Sequence, residues 1–333
     1  MSTGIDDAPA VGDGAESETR APVLALDIGG TKLAAGVVDG AGEVHSFASV
    51  PTQRDDGPTA VLERLWQLGR RAVDESGIAW AQLGAVGIGC GGPLDATAGV
   101  LIAPPHLPGW RDIPIAALAA EAYELPVVLE NDATAAAAGE HRWGAGAGSA
   151  NMVYLTISTG VGGGVVIGGR LYRGAGGNGG ELGHVTVDWH GRRCRSCGRL
   201  GCLEAYVSGT SIAERAREAG LDVASAEELA ACAADNDALA ARVWDETVEA
   251  LACGVISIVN LFEPELLVLG GGVTRSGDQL FVPLRELVAA GAMKPAGDVA
   301  RIVPSAFGDL VGVVGAAAIV YDRAGADERR SER

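Results

Sequence analysis

The sequence predicts an α/β fold made of two similar halves. Short apolar runs rich in β-branched residues alternate with Ala-, Leu- and Glu-rich helical stretches, which is the pattern of α/β proteins. At 333 residues the chain is long enough for about two domains. A strand, a glycine-rich turn and a second strand also occur twice, from Leu24 to Val38 and from Met152 to Ile167. This repeat predicts a duplicated architecture with a cleft between its halves.

The periodicity of apolar residues locates the individual elements. The predicted strands are Val23–Ile28, Ala34–Val38, Ala85–Gly89, Val127–Leu129, Met152–Ile157, Gly164–Ile167 and Leu266–Leu269. The predicted helices are Thr59–Glu75, Ala133–Trp143, Ser211–Ala219, Ala238–Asn260 and Gly312–Tyr321.

The domain boundary is expected shortly after Ala133. This gives a first domain of residues 21–133 and a second of residues 134–311, with the final helix packing back onto the first. Residues 1–20 and 322–333 lack periodicity and are predicted to be flexible tails, the first of them acidic.

Composition narrows the classes of function. Apolar residues make up 48% of the chain and charged residues 20%, as in ordinary globular proteins. The net charge of −18 opposes a general role at nucleic acids or membrane surfaces, because both are anionic. No apolar run is long enough to span a bilayer, and the N-terminal region lacks the features of a signal peptide. We therefore expect a cytoplasmic protein without nucleic-acid or membrane partners.

Fifty glycines make chance motifs common, and two familiar nucleotide motifs fail their context tests. The pattern G-x-G-x-x-G occurs at Gly87–Gly92 and at Gly174–Gly179. The first runs into Pro93 rather than a helix and the second follows no strand, which argues against a Rossmann site. A Walker A loop is excluded because neither Lys32 nor Lys294 stands in G-K-[S/T].

The two repeated turns are better candidates for binding phosphate. Glycine lets the backbone approach an anion closely, so that consecutive N–H groups converge on it. The alternative is a pair of ordinary tight hairpin turns. A third glycine cluster ends a predicted buried strand, where α/β folds place ligands and a flat base would have room. The candidates are Gly29, Gly30 and Thr31 in the first turn, Thr159, Gly160, Gly162 and Gly163 in the second, and Gly270, Gly271 and Gly272 in the third cluster.

Asn131 and Asp132 stand between a predicted strand and an Ala-rich helix, near the expected cleft. One interpretation is that either side chain caps the helix. The other is that Asn131 hydrogen-bonds a sugar hydroxyl while Asp132 accepts the proton of the attacking hydroxyl. The helix N-terminus is expected to keep the Asp132 carboxylate ionised. Phosphoryl transfer asks little more of the remaining site than positioning and charge neutralisation.

Three of the six cysteines are crowded into Cys194, Cys197 and Cys202, ten residues and more after His184. Without an export signal, clustered thiols favour metal binding over disulfides. One imidazole and three thiolates make a tetrahedral zinc site whose filled shell is typical of a structural role. A disulfide and free thiols are the alternatives.

Taken in order, these motifs resemble the ROK family of sugar kinases and repressors, in its bacterial glucokinase branch. The resemblance spans roughly Pro22 to Tyr321. Its motifs are Leu26-Asp-Ile-Gly-Gly-Thr-Lys32, Glu130-Asn-Asp132, Ser158-Thr-Gly-Val-Gly-Gly-Gly164, Gly180-Glu-Leu-Gly-His184, the cysteine segment through Glu204, and Gly270-Gly-Gly272.

The resemblance implies an actin-like, ribonuclease-H-like fold of two domains, with ATP and a hexose in the interdomain cleft. Asp132 would deprotonate the sugar 6-hydroxyl, and Asp27 would lie near Mg²⁺–ATP. The first turn with Lys32 and the second turn would hold the phosphates, and a homodimer or homotetramer is implied. The remaining sugar hydroxyls would be held by Asn131, Glu181, His184 and Glu204, with a backbone contact near Gly92.

The cysteine segment departs from the family spacing. The family has C-x-C-G-x-x-G-C, whereas Cys194-Arg-Ser-Cys197 carries one extra residue. C-x-x-C is itself a good zinc spacing, so binding is expected to persist with the zinc segment spanning residues 184–202. The identity of the first thiol ligand is the point that this departure leaves open.

Several alternatives to an ATP-dependent glucose kinase remain. A sugar-responsive repressor is disfavoured, because only a short acidic stretch of about 20 residues precedes Pro22 and Asp132 is retained. A kinase for N-acetylmannosamine, fructose or allose stays open, since the hydroxyl-binding residues are largely shared. A zinc-stabilised sugar-binding protein without catalysis is disfavoured by Asp132 and by both intact turns. Polyphosphate as donor is disfavoured by the acidic chain.

Overall fold

The computed structural model describes residues 21–331, with side chains through residue 324. The tail predicted at residues 1–20 lies outside the described residues, as do residues 332 and 333. The strands are β1 (Val23–Ile28), β2 (Lys32–Val38), β3 (Val44–Pro51), β4 (Ala85–Cys90), β5 (Leu94–Asp95), β6 (Val100–Leu101), β7 (Val127–Asn131), β8 (Met152–Ile157), β9 (Val161–Ile167), β10 (Arg170–Leu171), β11 (Leu266–Gly270) and β12 (Arg301–Pro304).

The helices alternate with these strands in the α/β manner. They are α1 (Pro58–Ser76), α2 (Ile115–Tyr123), α3 (Asp132–Trp143), α4 (Glu204–Val207), α5 (Gly209–Glu218), α6 (Ala226–Ala234), α7 (Ala238–Phe262), α8 (Asp278–Gly291), α9 (Ala296–Val299) and α10 (Val311–Ser331). Among residues 21–331, no helix combines the length and apolar character needed to cross a bilayer.

Two five-stranded sheets share one topology. The first has the order β3-β2-β1-β4-β7 and the second β10-β9-β8-β11-β12. In each sheet the central strand pairs antiparallel with the strand that follows it, β1 with β2 and β8 with β9. On its other side the central strand is the first of three parallel strands, β1-β4-β7 in the first sheet and β8-β11-β12 in the second. The repeat predicted from the two glycine turns is therefore confirmed at the level of whole sheets.

Helices α3 and α10 lie between the two sheets. Val313 and Ala316 of α10 pack on β1 and β2, while Ala136 and Ala137 of α3 pack on β8 and β9. The two helices also pack on each other through small residues. The outer face of the first sheet is covered by α1 and α2, and that of the second by α5 to α8. The central helix pair thus belongs to both apolar cores.

Gly87 shows why β4 is rich in glycine. A Cβ atom at this position would lie 1.8 Å from the carbonyl oxygen of Ala316 in α10. The backbone of α10 can approach the first sheet so closely only because the side chain is missing. Helix packing therefore accounts for the first glycine of the first G-x-G-x-x-G match, and β4 runs into a loop, as its sequence context predicted.

Each predicted strand and helix is present, with ends that shift by a few residues. The prediction missed β3 and β12 at the sheet edges, the short strands β5, β6 and β10, and α2, α4, α6, α8 and α9. The prediction of a tail at residues 322–333 was wrong for residues 322–331, which continue α10. This segment contains three Arg and two Ala residues, which are strong helix formers that lengthen a helix already anchored by packing.

Candidate active site

Asp132 lies at the junction of β7 and α3. The side chain of Asn131 caps α3, because its Oδ1 accepts hydrogen bonds from the backbone N–H groups of Ala133 at 3.0 Å and Thr134 at 3.1 Å. Its Nδ2 lies 3.8 Å from the position that a Cβ atom would occupy at Gly92. The two sequence interpretations are therefore compatible: one end of the Asn131 amide caps the helix, and the other end faces Gly92 as a donor.

Burial dominates the electrostatics of Asp132. Desolvation raises the pKa of this carboxyl, while His106 and the N–H of Ala133, 2.8 Å from Oδ1, lower it. The net shift is upward, because the imidazole and the hydrogen bond do not compensate for the loss of hydration. That the helix N-terminus keeps this carboxylate ionised stays a prediction. Asp132 is consequently a stronger base than an exposed aspartate.

Asp27 is the last residue but one of β1 and lies close to Asp132. A Cβ atom at Gly89 would lie 3.6 Å from Asp27 Oδ1 and 3.7 Å from the Cα of Asp132. Burial and the neighbouring charge of Asp132 raise the pKa of Asp27 to about 7, against the opposing effect of Lys32. Two half-buried carboxylates this close favour a cation between or near them.

The first glycine turn is a tight hairpin between β1 and β2. The N–H of Gly29 donates to the carbonyl of Lys32 at 3.0 Å, and Thr52 Oγ1 donates to the carbonyl of Gly29 at 2.7 Å. Thr31 accepts at its carbonyl from the N–H of Thr52 at 3.0 Å. Thr52 therefore stabilises the turn through two hydrogen bonds. The sequence analysis did not single out this residue.

The second glycine turn connects β8 to β9 and contacts Glu204. Oε2 of Glu204 accepts from the N–H of Val161 at 3.0 Å and lies 2.9 Å from the Cβ position of Gly160. The carbonyl of Thr159 accepts from Thr210 Oγ1 at 3.0 Å. Glu204, at the end of the cysteine segment, thus stabilises the second turn through this hydrogen bond.

Gly162 and Gly163 lie within β9 rather than in the turn. A Cβ atom at Gly162 would lie 2.8 Å from the Cβ of Ala133, and one at Gly163 would lie 2.7 Å from Leu182. Packing against α3 and the segment leading to His184 is therefore sufficient reason for glycine at both positions.

The third glycine cluster lies at the same sheet edge as the second turn. Gly270 is paired with Thr156 in the register of β11 and β8. Gly271 has a φ of 89°, and a Cβ atom there would lie 2.4 Å from the carbonyl oxygen of Ile157. Gly272 has open space at its Cβ position. The cluster therefore leaves a surface free of side chains next to the second turn.

Glu181 and His184 lie on the short 3₁₀ helix that follows the loop after β10. Nε2 of His184 is 3.8 Å from Oε2 of Glu181. Burial raises the pKa of Glu181, and while His184 lowers it, the charges of Asp132 and Glu204 raise it further. These electrostatic effects indicate that four of the predicted sugar-site residues lie near one another, namely Glu181, His184, Asp132 and Glu204.

His184 also faces the three thiols through its other ring nitrogen. Its Nδ1 lies 3.8 Å from Cys194 Sγ, and Cys197 Sγ lies 3.5 Å from Cys202 Sγ. The four ligand atoms all lie within 4.8 Å of one another. Tetrahedral zinc with bonds of ~2.0–2.3 Å holds its ligands less than ~4 Å apart, and the separations of 3.8 Å and 3.5 Å match that spacing, so the donor set fits this ion.

Sequence reasoning missed three residues of this region. His106 lies against Gly30 and Gly91. Arg173 donates from Nε to Oε2 of the buried Glu130 at 2.6 Å, and Asn178 Oδ1 lies 3.9 Å from the Cβ position of Gly92. No local sequence pattern marks these residues, because each meets its partner only through the tertiary fold.

Two mixed sheets of equal topology, with glycine turns and buried carboxylates at their edges, are consistent with a two-domain kinase fold. A model of the ROK family matches residues 23–323. The chain therefore belongs to the ROK family, as the motifs indicated.

Known proteins of this family resemble the chain over nearly its full length. A glucokinase from Thermotoga maritima is 35% identical over 317 residues, covering 91% of this chain and 98% of that protein. The crystal structure of a ROK hexokinase from Thermus thermophilus is 38% identical with a TM-score of 0.78, covering 92% and 99%. A ROK family glucokinase from Streptomyces griseus, crystallised with glucose and AMPPNP, is 31% identical with a TM-score of 0.78, covering 90% and 98%.

Proposed function

We propose that the protein catalyses ATP-dependent phosphorylation of glucose at its 6-hydroxyl, with Asp132 as the general base. The observation that carries the proposal is the half-buried Asp132 carboxylate, whose pKa is raised by desolvation and which lies beside the Asn131 amide where β7 meets α3. The names of the similar proteins, glucokinase and hexokinase, support the same reaction and the same two substrates.

The proposed reaction needs little covalent work from the protein. The carboxylate of Asp132 accepts the proton of the 6-hydroxyl as its oxygen attacks the terminal phosphorus of ATP, and ADP leaves. A buried base with a raised pKa accepts that proton more readily than an exposed aspartate. The remaining residues orient the two substrates and exclude water.

The other sugar hydroxyls are assigned to residues on both sides of Asp132. Asn131 Nδ2 has its donors free of the helix cap, and the backbone at Gly92 lies next to it. Glu181 and the Nε2 side of His184 supply an acceptor and a further polar contact. Glu204 completes the set. Its carboxylate accepts a hydrogen bond from the N–H of Val161, which connects these sugar-binding residues to the second glycine turn.

ATP is assigned to the three glycine clusters. The phosphates would contact Gly29 to Lys32 in the first turn, Thr159 and Gly160 in the second turn, and Gly162 and Gly163 at the start of β9. The base would lie on the open surface at Gly270 to Gly272. Mg²⁺ bound with the nucleotide would be held near Asp27, where its charge would neutralise the phosphates. The raised pKa of Asp27, about 7, supports a cation partner for this carboxylate.

Zinc is assigned to His184, Cys194, Cys197 and Cys202 and to a structural role. The separation of the four ligand atoms supports the assignment, including Cys194 as the first thiol despite the extra residue before Cys197. A closed shell leaves no position for water, so zinc would supply rigidity rather than chemistry. His184 would present its other nitrogen to the sugar with the ring orientation held by the metal.

The architecture that we propose is the actin-like one, with a first domain of residues 21–133, a second of residues 134–311 and the substrates between them. The packing of α10 on the first sheet supports its assignment to the first domain. We place the protein in the cytoplasm, where ATP is available and thiols stay reduced, and we propose a homodimer or homotetramer from the family resemblance.

The test is a coupled ADP-release assay with Mg²⁺–ATP and a panel of glucose, mannose, fructose, allose, N-acetylglucosamine and N-acetylmannosamine. Highest kcat/KM with glucose, with glucose 6-phosphate as the product, is the expected result. Preference for another sugar would keep the mechanism and change the substrate. No turnover with any sugar, in folded and zinc-loaded protein, would overturn the proposal.

A further inference from the structure

His106 lies between the first glycine turn and the segment that follows β4. Its Cβ and carbonyl oxygen are 3.0 Å and 3.1 Å from the position that a Cβ atom would occupy at Gly30. Its ring lies on Gly91, with Cε1 at 2.5 Å and Nε2 at 3.2 Å from the corresponding position there. A side chain at either glycine would displace this histidine, so both glycines leave room for it.

The surroundings of the ring keep it neutral. Burial lowers the pKa of His106, and Arg54 lowers it further, against the attraction of Asp132. The interaction is mutual, since His106 in turn lowers the pKa of Asp132. A neutral imidazole has one N–H donor and one acceptor nitrogen. Within the side chains that the structure describes, neither nitrogen of His106 makes a hydrogen bond.

The role of a half-buried ring with free polar atoms follows from its neighbours. On one side is the turn assigned to the nucleotide phosphates, and on the other is the end of β4, next to Gly92 of the sugar site. Asp132, the proposed base, is within electrostatic range of the ring. The ring therefore lies where the donor phosphate and the sugar hydroxyl would have to meet.

We propose that His106 contacts the transferred phosphoryl group, donating an imidazole N–H to one of its oxygens. This inference rests on the proposed function, because it takes the first turn as the phosphate site. A neutral donor suits the position: it binds an anionic oxygen, while an imidazolium would pair with Asp132 and weaken the base. Hydrogen bonds to charged oxygens are the stronger class of such bonds, so loss of this one has a measurable effect.

The experiment compares His106→Ala, His106→Gln and wild type. Gln keeps an N–H donor of similar reach, and Ala removes it. We expect His106→Ala to weaken AMPPNP binding about ten-fold in calorimetry, with ADP binding unchanged, because only the terminal phosphate loses a contact. We also expect kcat to fall at least ten-fold with the KM for glucose unchanged, and His106→Gln to recover part of both losses. His45→Ala is the matched control, since His45 pairs with Asp39 away from the site.

The outcomes separate this inference from the proposed function. Absence of wild-type turnover would overturn the proposed function and this inference with it. Normal wild-type turnover with an unaffected His106→Ala variant would overturn the role of His106 alone. Equal loss of ADP and AMPPNP affinity would show that the histidine only stabilises the conformation of the first turn. A change in the KM for glucose alone would place the histidine in the sugar site. Either result would overturn the proposal. If His106→Ala fails to fold, the ratio of AMPPNP affinity to ADP affinity is measured in folded His106→Gln and His106→Leu instead. The same results then support or overturn the proposal.

Discussion

The ion pair of Arg173 with Glu130 connects the two halves of the molecule, and its removal is predicted to weaken folding and catalysis together. Glu130 ends β7 of the first sheet with its side chain 3% exposed, and Arg173 follows β10 of the second sheet with 43% exposed. Nε and Oε2 are 2.6 Å apart. Replacement of Arg173 by Met keeps most of the apolar stem and removes the charge.

The magnitude follows from which partner is buried. Breaking a buried pair by removing one member costs about 3–5 kcal/mol, because a buried charge is left without compensation. The guanidinium is partly exposed, and Glu130 Oε1 still accepts from the N–H of Asn131 at 3.1 Å, so we expect the lower end, about 3 kcal/mol. The double variant Glu130→Gln/Arg173→Met leaves no buried charge and is predicted to be more stable than Arg173→Met alone.

Thermal unfolding and steady-state kinetics measure the two effects. We expect Arg173→Met to lower Tm by about 4 °C and to raise the KM for glucose, because the loop from Arg173 leads to Glu181. Arg71→Met is the matched control, since the Arg71–Glu75 pair is exposed on both sides and is predicted to contribute less than ~1 kcal/mol. Equal stability of Arg173→Met and Arg71→Met would refute the reasoning, as would a double variant no more stable than Arg173→Met.

Three further predictions follow from the site and the fold. Cys202→Ser is expected to lower bound zinc to well below one ion per chain by elemental analysis and to lower Tm, because one of four ligands is lost. Gly87→Ala is expected to destabilise the protein by about 3 kcal/mol in thermal unfolding, since its Cβ would meet the carbonyl oxygen of Ala316 at 1.8 Å. The acid limb of kcat/KM is expected at a pH above the usual aspartate range of ~4, because burial raises the pKa of Asp132 and protonation below that pKa removes the base.

Each of these predictions has a control or a contradicting result. Cys253→Ser, at an exposed thiol outside the cluster, is expected to keep full zinc, and equal zinc in both variants would contradict the site. Gly176→Ala has open space at its Cβ and is expected to be neutral, so equal stability of the two alanine variants would contradict the packing argument. An acid limb at or below pH ~4 would contradict the raised pKa of Asp132.

Local chemistry explains what the sequence predicted well. Both hairpins follow from apolar strands that flank glycine turns, and Asn131 stands at a helix start where its residue type is favoured. The cluster of three thiols and one imidazole follows from cysteine spacing. These features depend on residues close together in the chain, so a short window of sequence contains the relevant interactions.

Features that depend on tertiary contacts escaped prediction. Arg173 meets Glu130 across 43 positions of sequence, and His106 reaches the first turn from a loop without periodicity. The edge strand β12 has only four residues, and its pairing with β11 defines it. The upward shift in the pKa of Asp132 has the same origin, since it comes from desolvation in the folded protein, which the local sequence does not show.

The measurement that tests the central claim most directly is the kcat of Asp132→Asn with glucose and Mg²⁺–ATP, together with glucose binding by calorimetry. Asn keeps the size of the side chain and its hydrogen bond from Ala133 but accepts no proton from the sugar. We predict a fall in kcat of at least ~10²-fold with glucose affinity within a few-fold of wild type. Turnover close to wild type in folded Asp132→Asn would contradict the assignment of Asp132 as the base.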